Sequence, residues 1–263
     1  MRSSRLAAMT FGVLWVSVSG TAEGNHPRNP RDPVSRALAF FEPSHGDGEA
    51  FLRQLRPAPV SASVRAAVVA ALPHEGELEP TDDERAKIAT LDAVFEFHER
   101  KGSIVIKVID VGHAFVGLHA RTVLLLSRDA LSLVQPEELQ ALAAHELGHE
   151  FFWDEYQAAR AGDPARVQEI ELRCDGVAVT TLRALGHGPE PLVRAITKLT
   201  RYNERLHATA SGASYVSLKD RKAFIEAIAR RLSSRARQTT SGPRSAAPRA
   251  VSIGASGLER APV

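Results

Sequence analysis

His145, Glu146 and His149 stand in the order His-Glu-x-x-His within Ala143–Glu150, a spacing that can hold a metal ion and use it. On a helix, positions i and i+4 lie one turn apart on one face, so both imidazoles can reach a single zinc ion at about 2.0–2.1 Å. Glu146, beside the first histidine, is placed to take a proton from a water held there, a general-base role that a purely structural metal clip does not need. A hydrolytic zinc centre requires a third protein ligand and keeps its fourth position open. In one arrangement a Gly follows the second His by three residues and a His by six. Here those positions carry Phe152 and Glu155, so that arrangement is excluded. Glu171 and Asp175 offer a better source of the ligand. They are again i and i+4, so one carboxylate can bind metal while the other accepts a hydrogen bond from a ligating imidazole's free N–H. Glu169 and Glu155 are fallbacks without so well placed a partner.

These residues need a helix, and the sequence supplies one. Pro136 suits a first helical position, Glu137 and Glu138 suit the first turn, and Leu139, Leu142, Ala143 and Leu147 recur at helical spacing. Further helices are expected at about Pro164–Leu185, which carries Glu171 and Asp175, at Pro191–Ala208, and at Leu218–Leu232 behind the cap Ser217. Ahead of the motif, Ser103–Asp110, Ala114–Leu118 and Thr122–Ser127 are β-branched or apolar runs and read as strands. Thr81 and Glu84 form a capping box, with one helix expected from there to about Arg100. Val34–Phe41 and Ala62–Leu72 carry short helical patterns. The class implied is α+β, mostly helical, with a small sheet preceding the motif helix and a helical C-terminal half.

The chain's 263 residues are 44% hydrophobic and 24% charged, which excludes wholesale disorder and collagen-like repeats. A single cysteine, Cys174, excludes an internal disulfide and a Cys-x-x-Cys centre, and reads as a small buried hydrophobe. Arg2 and Arg5, the apolar stretch Leu6–Val18 and the small residues Ser19 to Ala22 follow the order of a secretory signal, too short to span a bilayer that takes about 20 apolar residues. Residues 1–22 are therefore expected to be a signal peptide, 23–61 a linker and accessory segment, 62–232 the catalytic domain and 233–263 a disordered tail. The location expected is extracytoplasmic, with no integral membrane span after signal removal. The formal charge of +2 misleads, because residues 23–232 carry 26 basic and 30 acidic groups. That domain is mildly acidic, and the tail lacks the dense basic run and interleaved aromatics of a nucleic-acid arm, so no nucleic acid is expected.

His145-Glu146-Leu147-Gly148-His149 followed by Glu171-x-x-x-Asp175 resembles the gluzincin zinc peptidases, particularly the family containing HtpX and the CAAX prenyl proteases. The likeness extends over roughly residues 104–230, including the strand ending at Ser127 and Glu137–Ala141 leading into Ala144-His145. It implies a zincin-like domain binding Zn2+ through His145, His149 and Glu171, with Glu146 as catalytic base and Asp175 bonded to a ligating histidine. It also implies a peptide or protein substrate, paired along the strand Thr122–Ser127 or its neighbour. Tyr202, His207, Tyr215 and Arg221 are candidates for stabilising the oxyanion, and no spacing selects among them. Two other readings stand beside a secreted endopeptidase: a catalytically silent zinc-binding interaction module, and a zinc hydrolase of non-peptide amides.

Overall fold

A computed structural model describes residues 32–45, 47–206 and 216–240, with side chains up to residue 232. The expected signal segment, residues 23–31 of the linker, His207, Tyr215 and residues 241–263 lie outside the described residues. Three short helices come first: α1 (Pro33–Phe40), α2 (Gly48–Leu55) and α3 (Ala62–Ala70). A two-residue strand, β1 (Glu77–Leu78), precedes α4 (Asp82–Ala89) and α5 (Asp92–Phe97). Strands β2 (Val105–Ile109), β3 (Val116–His119) and β4 (Val123–Ser127) follow. Then come α6 (Arg128–Leu133), α7 (Pro136–Phe151), α8 (Trp153–Arg160), α9 (Pro164–Ala184), α10 (Glu190–Arg205) and α11 (Leu218–Thr240). The fold is thus α+β and mostly helical, with a four-stranded mixed sheet ahead of the long helices.

The sheet runs in the order β1-β2-β4-β3, with β2 parallel to β4 and the two outer pairs antiparallel. β4 is paired on both sides, so the strand Thr122–Ser127 is not an edge; its neighbour β3 is the terminal strand. Alternation along the strands gives the sheet two apolar faces. Val108, Val116, Leu118, Leu124 and Leu126 join the main core with α7, whereas Phe115, Val123 and Leu125 meet Val68, Val69 and Leu72 in and just beyond α3. At the end of β4, Ser127 Oγ accepts from the Ala130 amide and starts α6.

The pair that matters for the site is α7 against α9. Leu139, Leu142 and Leu147 on α7 and Leu172, Ala178 and Leu182 on α9 are all at most 1% exposed. Each leucine buried this fully contributes about 1.5–3 kcal/mol. The two helices meet closely because Gly148 lacks a Cβ, which would stand 2.9 Å from Cys174 Cα. Cys174 is itself buried, as a small hydrophobe at that crossing should be. On the next stretch of α9, Gly176 leaves room for the Phe41 ring, which a Cβ would meet at 2.4 Å, and this seats the end of α1 on α9. α2 packs on α9 as well, through Leu52 in a cluster with Phe152, Ile170 and Val177.

Two boundaries differ from expectation. The helix behind the Thr81 cap is broken into α4 and α5, because Thr90 Oγ1 donates to the Lys87 carbonyl while Gln140 on α7 donates to the Thr90 carbonyl. α11 continues past Leu232 to Thr240, into the segment expected to be disordered. No glycine or proline interrupts residues 233–240, and the first such breakers are Gly242 and Pro243. Among the described residues, no helix is long and apolar enough to cross a membrane.

Candidate metal centre

α7 begins at Pro136, with the Glu138 carboxylate accepting from the Gln135 amide, and its third and fourth turns carry His145, Glu146 and His149 into the core. All three are at most 2% exposed. Their ligand atoms lie within 4.8 Å of one another. α9 brings Glu171 to the same place, with Oε2 at 3.3 Å from His145 Nε2 and Oε1 at 3.7 Å from His149 Nε2. Two ligands held at about 2.0–2.1 Å by a tetrahedral ion stand roughly 3.3–3.4 Å apart, so these separations suit one ion between them. His145 Nε2, His149 Nε2 and Glu146 Oε1 are buried without a hydrogen-bond partner. Unpaired buried polar atoms are costly, and three of them gathered beside the Glu171 carboxylate fit a divalent cation.

The four residues differ in how they are held. His145 Nδ1 is 2.9 Å from Asp175 Oδ1, and Asp175 also accepts from Arg221, whose Nε is 2.8 Å from Oδ2 and whose Nη2 pairs with Oδ1. Burial works against the Asp175 carboxylate, but Arg221 and His145 outweigh it and hold its pKa low. The aspartate therefore has no proton to give, so Nδ1 carries a hydrogen, and Nε2 is the ring nitrogen that faces Glu171. Burial also opposes a charge on His145, yet the Asp175 and Glu171 carboxylates raise its pKa to about 9. The surroundings of Nε2 thus favour positive charge. His149 has no such acid behind it, and burial lowers its pKa to about 4. For Glu171, burial is overcome by His149, His145 and Arg221, and its pKa is lowered.

Glu146 turns its Oε2 to the amide of Leu118 on the terminal strand β3, at 3.0 Å. Burial pushes its pKa up to about 8; His145 and the Leu118 amide oppose this, while the Glu171 charge adds to it. A carboxyl group held by one amide beside the two imidazoles is placed for general acid–base work.

All five residues singled out by spacing, His145, Glu146, His149, Glu171 and Asp175, come together here. The fallbacks do not. Glu169 accepts from Arg36, Arg166 and Arg173, and Glu155 pairs with Arg166 and Arg173. Arg221 is committed to Asp175, which engages its Nε and Nη2, and Tyr202 sits on α10 beneath the Arg205 guanidinium. His119 is the half-buried last residue of β3. Sequence reasoning missed Tyr156, whose ring lies 4.7 Å from that of His149 and is 4% exposed. Its place seven residues after His149 gives the same helix face only if α7 were continuous, and the chain turns at Phe152 instead. His98 is the contrasting buried histidine: its Nε2 shares a hydrogen bond of 2.9 Å with Thr181 Oγ1, and burial, with Arg56 and Arg100, lowers its pKa to about 3.

The chain matches no protein-family model and no curated protein. Its chemistry must therefore be argued from the arrangement of these side chains.

Proposed function

We propose that the protein is a zinc-dependent endopeptidase, in keeping with its resemblance to the gluzincin peptidases. The observation that carries this reading is the buried cluster of His145, His149 and Glu171 with Glu146 beside it, where three polar atoms lack protein partners. His145, His149 and Glu171 would hold the ion. When bound, zinc supplies a Lewis acid that acidifies water and polarises a carbonyl. Two imidazoles and carboxylates with an open position suit zinc better than the all-oxygen shells of calcium or magnesium.

The remaining steps belong to this chain. Asp175, itself fixed by Arg221, keeps the proton of His145 on Nδ1 and leaves Nε2 to ligate. Glu146 takes the proton from the attacking water and returns it to the leaving amine. The Leu118 amide holds the Glu146 carboxylate in line with the terminal strand β3. Burial of the whole cluster keeps bulk water from competing for the proton.

Glu146 also separates the enzyme from a silent zinc module, because a structural site has no use for a buried carboxyl next to the ligands. The test is cleavage of a mixed peptide library by zinc-loaded wild type and by Glu146→Gln. Cleavage should fall about 10²–10⁴-fold in the variant while zinc stoichiometry stays the same. Equal cleavage by both proteins would overturn the assignment of Glu146, and no cleavage by a zinc-bound wild type would favour the silent module.

A further inference from the structure

The two histidines of the cluster are fixed by different means. A metal-binding histidine ordinarily donates its second ring N–H to a carboxylate, a carbonyl or a water, which sets both tautomer and ring angle. His145 has this in Asp175, braced by Arg221. His149 does not: its Nδ1 is buried and has no hydrogen-bond partner. Its ring is nonetheless enclosed. The Tyr156 ring, on α8, lies 4.7 Å away at 59°, and the His145 ring lies 5.3 Å away at 80°. Tyr156 is itself wedged into the apolar cluster of Phe152, Ile170, Cys174 and Val177, so it is not free to swing. Its hydroxyl makes no hydrogen bond among the described residues, and the contact with His149 is made by the ring.

We infer that Tyr156 is the positioning residue for His149, its aromatic ring fixing by packing the ligand that lacks a hydrogen-bonding partner. The inference rests on the metal-centre reading above. An aromatic pair of this geometry favours one ring orientation over others, and a ligand held in one orientation loses less freedom on binding an ion. The phenol oxygen has no part in this, so the ring alone should suffice. Conversely, a flexible apolar side chain of similar length should fill the space without fixing the angle.

Three proteins test this: wild type, Tyr156→Phe and Tyr156→Met, each stripped of metal and titrated with zinc against a chromogenic chelator. Tyr156→Phe should match the wild-type affinity within about 2-fold. Tyr156→Met should bind about 10–100-fold more weakly, the loss typical when a ligand's supporting partner is removed. Equal affinity in Tyr156→Met, or an equal loss in Tyr156→Phe, would overturn the inference. A merely structural tyrosine would lower thermal stability but leave the zinc affinity of the folded Tyr156→Met protein unchanged; the ring contact itself has a separate signature. In the metal-free proteins, the His149 ring protons should show an aromatic ring-current shift by NMR that persists in Tyr156→Phe and disappears in Tyr156→Met, with those of His145 little changed. Absence of that shift in the wild type also contradicts the inference, even if Tyr156→Met fails to fold. Should wild type bind no zinc, the metal-centre reading falls, while the packing of Tyr156 on His149 is still decided by the NMR result.

Discussion

Glu169 and Glu171 lie two residues apart on α9, both with little exposure, yet their surroundings are opposite in kind. Glu169 is 1% exposed and accepts from three arginines, Arg36 on α1 and Arg166 and Arg173 on its own helix. Arg173 also stacks over the Phe40 ring at 4.4 Å, so this acid ties α1 to α9. Both oxygens of its carboxylate are taken by arginines of the same protein. Glu171 faces two imidazoles instead, and around it His145 Nε2, His149 Nε2 and Glu146 Oε1 stay unpaired. A buried carboxylate that is paired with cations serves stability or specificity, whereas buried polar atoms left without partners call for another explanation. The contrast sets an acid whose partners lie in the chain beside one that, in the proposed reading, meets a metal ion.

The largest expected effect should divide the two acids completely. Glu171→Ala removes a first ligand and should reduce zinc affinity at least about 100-fold, measured by chelator competition. Glu169→Gln should leave zinc affinity unchanged. If instead Glu169→Gln lost zinc and Glu171→Ala kept it, the roles of the two would be exchanged. The same Glu169→Gln protein should lose about 2–3 kcal/mol in urea unfolding, below the 3–5 kcal/mol of a fully buried pair because Arg36 and Arg166 are each 32% exposed.

A smaller effect concerns pH. Burial would raise the pKa of Glu169, but Arg36, Arg166 and Arg173 outweigh it and hold the carboxyl below its ordinary value of 4.5. A lowered pKa in the folded state means that the unfolded chain takes up the proton first as pH falls. The contribution of Glu169 is therefore fully present above about pH 4.5 and is lost as pH drops through the folded value. Thermal unfolding of wild type and Glu169→Gln should accordingly converge below pH 4.5. Parallel curves throughout would show that the carboxylate charge is not what holds α1.

Much of this contrast was within reach of the sequence, but not the decisive part. His145, Glu146 and His149 were legible because both the helix and the i, i+4 face follow from local pattern. Glu171 and Asp175 were legible as a pair on one face, which already set Glu171 ahead of Glu169, while the engagement of Glu169 by Arg36, 133 residues away, arises only in the fold. Arg221 was noticed as a possible oxyanion donor, yet its partner Asp175 is 46 residues distant. Three of the four strands were legible as short β-branched or apolar runs, whereas the two-residue β1 and the strand order, with β4 inside and β3 outside, follow from pairings that no short window contains. The break between α4 and α5 is likewise tertiary, since Gln140 takes the Thr90 carbonyl from across the core.

The central claim is that His145 Nε2, His149 Nε2 and a Glu171 oxygen are ligands of one zinc ion. Crystals of the purified protein grown with zinc, with anomalous data collected on both sides of the zinc absorption edge, test it most directly. The account predicts one strong peak about 2.0–2.1 Å from His145 Nε2, His149 Nε2 and a Glu171 oxygen, with Glu146 outside bonding distance and Glu169 still among its arginines. No peak between the two imidazoles, or a peak there from which Glu171 has turned away, would contradict it.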